Sequence, residues 1–278
     1  MTPRLPKLRT GLTILAIFLV LYGVIAYFAL PFAWTHYEHQ KGLAGRPMLT
    51  RTAQNIPGDP INIGLVGNKD DVLCAMHAAG WYPADPITFR SSLAIVGSVI
   101  LRRPYRDAPV SPLFYDGRRE DLAFEKPSGE SADRRHHVRF WEVLKAGQEG
   151  RAVWLGAVTL DRDVGLSRYT AQITHHIAPD IDAERDALSA DLKAAKVVAA
   201  IYEVSGIGPT LLAWNGEGDR YYTDGEIKIS RLVAGCNNTA EDAVELDNPP
   251  LVDFKNQTWK AIVGPLESGV SLNNPEGH

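Results

Sequence analysis

The chain has 278 residues, of which 45% are hydrophobic and 22% charged, and a net charge of -4. These proportions belong to a globular protein able to build a core, and they exclude disordered and collagen-like classes. The mildly acidic balance gives no electrostatic reason to expect nucleic acid, whose phosphates call for a clearly basic face.

In chain order, the first element is a run from Leu12 to Trp34 without a charged residue. A helix needs about 20 apolar residues to cross a ~30 Å hydrocarbon layer, so the run predicts one transmembrane helix over 12–34 behind a cytoplasmic segment, residues 1–11. A cleaved secretory signal would have an apolar stretch of only ~7–15 residues and a small-x-small cleavage site. Bulky Tyr27, Phe28, Leu30 and Phe32 stand where a peptidase wants small side chains, which favours an uncleaved signal-anchor. Arg4, Lys7 and Arg9 lie tight against the leading end, whereas Lys41, Arg46 and Arg51 trail the other. That asymmetry predicts an inside N-terminus in the cell membrane and a globular domain in the periplasm or outside the cell.

Residues 35–59 carry many turn formers and little periodicity and read as a juxtamembrane linker. Within it, His36 and His39 are explained by continuation of the membrane helix. The globular domain is expected over 60–266, followed by a polar tail at 267–278. It opens with a β-type run from Ile61 to Val66 and a helix whose N-cap is Asn68, with Asp70 and Asp71 at the positive end of the helix dipole. Val72, Leu73, Met76, Ala79 and Gly80 form its apolar face, and Cys74 points away from it.

A second helix is predicted from Ile87 to Leu101, stopped at Pro104. Strands follow at Leu113 to Tyr115, Leu122 to Glu125, Arg135 to Leu144, Arg151 to Leu160 and Leu166 to Ile177. Asp182 to Lys196 reads as an amphipathic helix with Leu188, Leu192 and Ala195 inward. Further strands are expected at Val197 to Val204, Leu211 to Trp214, Arg220 to Tyr222 and Glu226 to Val233, with Asp224-Gly225 as a hairpin signal between the last two. This order gives an α+β fold, a largely antiparallel sheet with packed helices, preceded by one transmembrane helix. Cys74 and Cys236 have no metal-binding spacing, which leaves a long-range disulfide or two inert buried thiols.

The blocks PINIGLVG, GWYPADP, DAPVSPLF, DLAFEKP, RHHVRFW and THHIAPDIDAERD recur in the order found in the LssY C-terminal domain family of bacterial membrane proteins, which the chain resembles from about Pro60 to beyond Ile201. The resemblance implies an anchored cell-envelope domain and transfers no catalytic residue. Some family members extend proteins resembling lipid-phosphate phosphatases, which points towards envelope lipid chemistry.

Two histidine doublets are the candidates for chemistry, His136-His137 and His175-His176. Strand alternation places His136 with inward Val138 and Phe140, and His175 with Ile173 and Ile177. His137, Arg139 and Trp141, with Gln172, Thr174 and His176, then fall on the opposite, polar face. A meander turning near Gly147 and Val164 would set His137 opposite Gly156, with Arg139, Trp154 and Thr174 in the next row.

On this reading His137 and His176 are candidate catalytic groups, and Arg139, Trp154, Gln172 and Thr174 candidate substrate contacts. Arginine offers a two-pronged fork to phosphate oxygens. A zinc shared by the doublets is disfavoured, because His137 and His176 would lie roughly 16 Å apart. His176, Asp180 and Glu184 form a smaller candidate set for a divalent metal, in competition with ordinary carboxylates at the first turn of a helix. Three functions from different classes follow. One is an envelope hydrolase acting on a phosphorylated or lipid-linked substrate; the second is a non-catalytic domain that binds an anionic headgroup or a membrane-protein partner; the third is a purely structural ectodomain.

Overall fold

The computed structural model describes residues 5–29, 42–43, 45–84, 113–128, 134–169, 171 and 173–272. The expected helix from Ile87 to Leu101 lies outside them, as do His36 and His39. Helix α1 (Leu5–Val24) continues as a π-helical turn over Ile25–Ala29. Its stretch Arg9–Ala29 has a mean hydropathy of 2.5 and no buried residue, so it is long and apolar enough to cross a membrane.

The domain is α+β and its sheets are mostly antiparallel. The central sheet has nine strands. Its middle is β3 (Ile63–Val66), β9 (Val153–Leu166), β8 (Arg135–Leu144) and β7 (Leu122–Pro127), with β4 (Tyr82–Pro83) beyond β7. On the other side of β3 come β14 (Glu226–Leu232), β11 (Val198–Ser205) and β15 (Val244–Glu245). β3 runs parallel to β14, and β10 (Ile173–Ile177) pairs with the outer half of β9.

One face of this sheet is covered by α2 (Lys69–Ala78) and α3 (Ile181–Ala194). Val72, Met76, Leu188 and Leu192 of the helices pack with Ile63, Leu65, Val138, Phe140, Trp154 and Val158 of the strands. Both helix starts follow from the local sequence. The Asp71 carboxylate accepts the Asn68 backbone N–H at 2.9 Å, and Asp180 caps α3 by accepting from the N–H groups of Asp182 and Ala183 at 3.1 and 3.0 Å. Each cap satisfies donors that the helix itself cannot.

The opposite face is not open, as the sequence reading required. β1 (Leu49–Thr52), β2 (Pro57–Pro60), β5 (Leu113–Tyr115) and β6 (Arg118–Arg119) form a second, four-stranded sheet. Leu43, Ile61, Leu113 and Tyr115 join Trp141, Val143, Leu155, Ala157 and Ile229 in a second core. The stretch expected to be a linker over 35–59 therefore contributes two strands and fully buried Leu43 to the domain.

Two later expectations also differ. β12 (Thr210–Trp214) and β13 (Arg220–Thr223) pair with each other around Asn215–Asp219, so Asp224-Gly225 does not turn a hairpin between β13 and β14. Asp224 is instead held by Arg185, while Gly225, at φ +78°, packs its backbone against that of Gly208 where a Cβ would collide. α4 (Pro250–Leu272) runs through the start of the expected polar tail. Cys74 of α2 and Cys236 are joined in a disulfide with their Cα atoms 5.4 Å apart, which fastens α2 to the chain after β14.

Candidate functional site

Register decides where the doublet residues go. β8 pairs His137 with Thr159, Arg139 with Ala157 and Phe140 with Gly156. β9 is longer than expected, because it continues through Asp161–Arg162–Asp163, and the turn into β10 lies beyond Leu166 instead of at Val164. Gly156 consequently faces Phe140, whose ring fills the space a side chain would take, and no gap opens beside His137.

The parity of β8 holds, and the meaning of its faces changes. His136, Val138 and Phe140 point towards the helices. Trp154, expected beside Arg139, packs on that helix side too and donates its indole N–H to the Gly67 carbonyl at 2.9 Å. His137 and Arg139 point the other way and are buried, at 2% and 7% exposure. The expected solvent-accessible face is an interior layer. Gln172 lies outside the described residues, and for Thr174 only the backbone is described, paired with Gly165.

The interior layer holds an ionic ladder. The Arg139 guanidinium stands 3.8 Å from the Asp59 carboxylate, whose other oxygen accepts from the Asn215 amide at 3.1 Å. Arg135 bridges Asp161 at 3.4 Å and Glu125 at 3.0 Å. Burial raises the Asp59 and Asp161 carboxyls above the ordinary range, with Arg139 opposing the rise at Asp59 and Arg135 leading the opposition at Asp161. Sequence reasoning missed Asp59, which was assigned to a linker, and Asp161, which lay just past an assumed strand end. Extending the alternation of β9 by one residue past Leu160 puts Asp161 on the face of Thr159.

His176 is oriented by Asp219, at 2.7 Å between Nδ1 and Oδ1. Asp219 also accepts the Ile177 backbone N–H at 3.1 Å, and its own N–H donates to Asn215. The His176 side chain keeps 19% exposure. His137 pairs with Thr159 whereas His176 pairs with Asp163, four positions further along β9 (163 − 159), so β9 separates the two histidines.

The candidate metal set does not converge. His176 bonds Asp219, Asp180 caps α3, and Glu184 lies 2.5 Å from Nδ1 of His136. Among the described residues no group of three His, Cys, Asp or Glu side chains could hold a metal ion. His136, the member of its doublet assigned to the core, keeps 22% side-chain exposure and sits beside Trp81 with ring centroids 6.0 Å apart.

A second charged knot lies at the N-terminal end of α3. Arg185, 3% exposed, forks onto Asp224 at 2.7 and 3.1 Å and reaches Asp182 at 3.4 Å. Lys255 of α4 pairs with buried Glu226 and donates to the Asp224 carbonyl. Burial pushes the Asp182 carboxyl up to about 6 against the attraction of Arg185. The knot ties α3, α4 and the start of β14 together.

A helix-backed mixed sheet, closed on its other face by a smaller sheet and threaded by internal ion pairs, is the class of domain these observations define. The family model for the LssY C-terminus matches residues 43–227, well over half of the chain, and the chain belongs to that family. The match begins at buried Leu43, where the second core also begins. No curated protein and no solved structure matches the chain.

Proposed function

We propose that this is a single-pass membrane protein whose globular domain lies outside the cytoplasm and works by binding, not by turnover. The observation that carries the binding reading is the engagement of the expected site groups by the fold: Arg139 faces Asp59, and His137 is buried at 2% exposure. A buried arginine already facing a carboxylate cannot present its fork to an incoming phosphate without leaving that carboxylate uncompensated. Anchoring is supported by the exposed apolar helix, and export by the basic residues Arg4, Lys7 and Arg9 ahead of it. The Cys74–Cys236 disulfide suits an oxidising compartment.

Alkaline phosphatase fused after His278 should be active, and a fluorescent cytoplasmic reporter at the same position dark. The reverse pattern would overturn export. Purified full-length chain should release no phosphate from phosphatidic acid or from a chromogenic phosphomonoester.

Hydrolysis keeps one specific foothold, the His176–Asp219 pair. A carboxylate that fixes one ring nitrogen of a part-exposed imidazole is how a general base is held. Phosphate release that His176→Gln abolishes while thermal stability is kept would establish that second reading.

A further inference from the structure

The β9–β10 turn and the β12–β13 hairpin meet at one end of the domain. The Arg168 N–H donates to the Glu217 carbonyl at 3.1 Å, and Gly218 lies so close to Arg168 that a Cβ there would strike its side chain. The Arg168 guanidinium stands 5.5 Å and that of Arg220 4.7 Å from the centre of the Trp214 ring. On the same two hairpins Leu166, Tyr169, Leu211, Leu212 and Trp214 are all exposed, between 39% and 61%.

Soluble surfaces expose single apolar residues freely, but five large apolar residues exposed on two touching hairpins mark an interaction face. Its composition is that of a membrane interface. Tryptophan and tyrosine sit at headgroup depth, leucines reach the acyl chains, and arginines meet lipid phosphates. The acidic neighbours do not cancel the arginines: Glu217 is half-buried in the turn, and Asp219 is turned inward to His176 and the Ile177 N–H.

We infer that these two hairpins dock the domain onto the surface of a bilayer containing anionic phospholipid. The inference rests on the anchored reading above and names the partner. Two observations select a bilayer as occupant: the same chain carries the apolar helix Arg9–Ala29, and the exposed arginines complement a negative surface. Residues 30–41 between helix and domain span at most roughly 40 Å when extended, which keeps the domain close to the bilayer that holds the helix. The Asp219 bonds to β10 join the hairpin to the central sheet, so the face is presented by a braced element.

The test reconstitutes the full chain in vesicles of phosphatidylcholine, with or without phosphatidylglycerol, made with acyl-brominated phosphatidylcholine as quencher. Bromine quenches indoles that enter the hydrocarbon. Subtracting Trp214→Phe from the wild type isolates Trp214 from the remaining tryptophans.

The expected result is a clear Trp214 contribution in anionic vesicles, several-fold smaller in phosphatidylcholine alone and lost in Arg168→Glu/Arg220→Glu. Leu212→Ser, which keeps the reporter ring, should weaken it in anionic vesicles. A contribution that is equal in both vesicle types, or absent from both, overturns the inference; absence with Trp214 still quenched by aqueous iodide would leave the face to a protein partner. Retention of the chain through an alkaline carbonate wash is scored separately. Loss of the chain from the vesicles sinks the anchored reading, whereas retention without the Trp214 signal sinks docking alone.

Discussion

The interior layer of β8 and β9 and the exposed outer side of the β9–β10 turn and the β12–β13 strands, the tip, carry similar residue types with opposite consequences. In the interior, Arg139 and Arg135 are surrounded by the carboxylates they compensate, and their charge serves the fold. At the tip, Arg168 and Arg220 are stacked on an exposed indole, with their charge facing solvent. An arginine beside aromatic residues is thus no guide to function until it is known what covers it. The two regions touch through Asp219, which holds His176 from the turn of the outer hairpin.

The contrast is tested first by stability. Removing one member of a buried pair leaves an uncompensated charge and costs about 3–5 kcal/mol. Arg185→Ala, which strands Asp224, and Arg139→Ala, which strands Asp59, should each lower the unfolding free energy by that amount. If urea titration shows either variant to be as stable as the wild type, the charged interior described for it is wrong.

Reduction of the Cys74–Cys236 disulfide should come next. A sequence separation of 162 residues makes a large loop, and removing a native cross-link typically costs about 2–4 kcal/mol. Cys74→Ser/Cys236→Ser should match the reduced wild type. An unchanged melting temperature on reduction would argue that the thiols are not joined.

A smaller effect is expected from pH. Asp182 is raised from 3.8 to about 6, so folding favours its protonated form. Its contribution to stability is complete below about pH 4 and is lost as pH rises through about 6, with a slope no steeper than ~1.4 kcal/mol per pH unit. Asp182→Asn should remove this slope, and equal pH profiles of variant and wild type would show that Asp182 does not titrate in that window.

The sequence made individual elements legible where the signal was local. The first half of β8 follows from the alternation of Arg135, His137 and Arg139 with His136, Val138 and Phe140, and the start of α3 from the cap at Asp180. What covers a face is not a local property. The second sheet is built from short strands, one flanked by Pro57 and Pro60, whose turn-forming residues read as linker. Together with Asn215 of the β12–β13 turn, it puts buried Asp59 against the polar face of β8. The shift of register arose because Asp161, Arg162 and Asp163 look like a loop, although Arg135 gives Asp161 a buried partner that lets β9 continue. Asp224-Gly225 misled for a related reason: it has turn chemistry, but Arg185 claims the aspartate.

The smallest stability effect should fall on the tip. Leu212 and Trp214 are exposed, and Arg220 has its guanidinium over the Trp214 ring at the surface. An exposed cation–π contact contributes only about 0.5–1 kcal/mol, and surface substitutions away from caps and buried networks usually stay within about 0.5 kcal/mol. Leu212→Ser and Trp214→Phe should therefore melt within a few degrees of the wild type, since Asp219, Asn215 and the Ile177 N–H still brace the hairpin. Asp219→Ala removes that brace, exposes His176 to a lost partner and should cost clearly more, about 1–3 kcal/mol. If Leu212→Ser destabilises as strongly as Asp219→Ala, the leucine is part of the domain's packing, and the tip would be a third core surface like the one that hid His137.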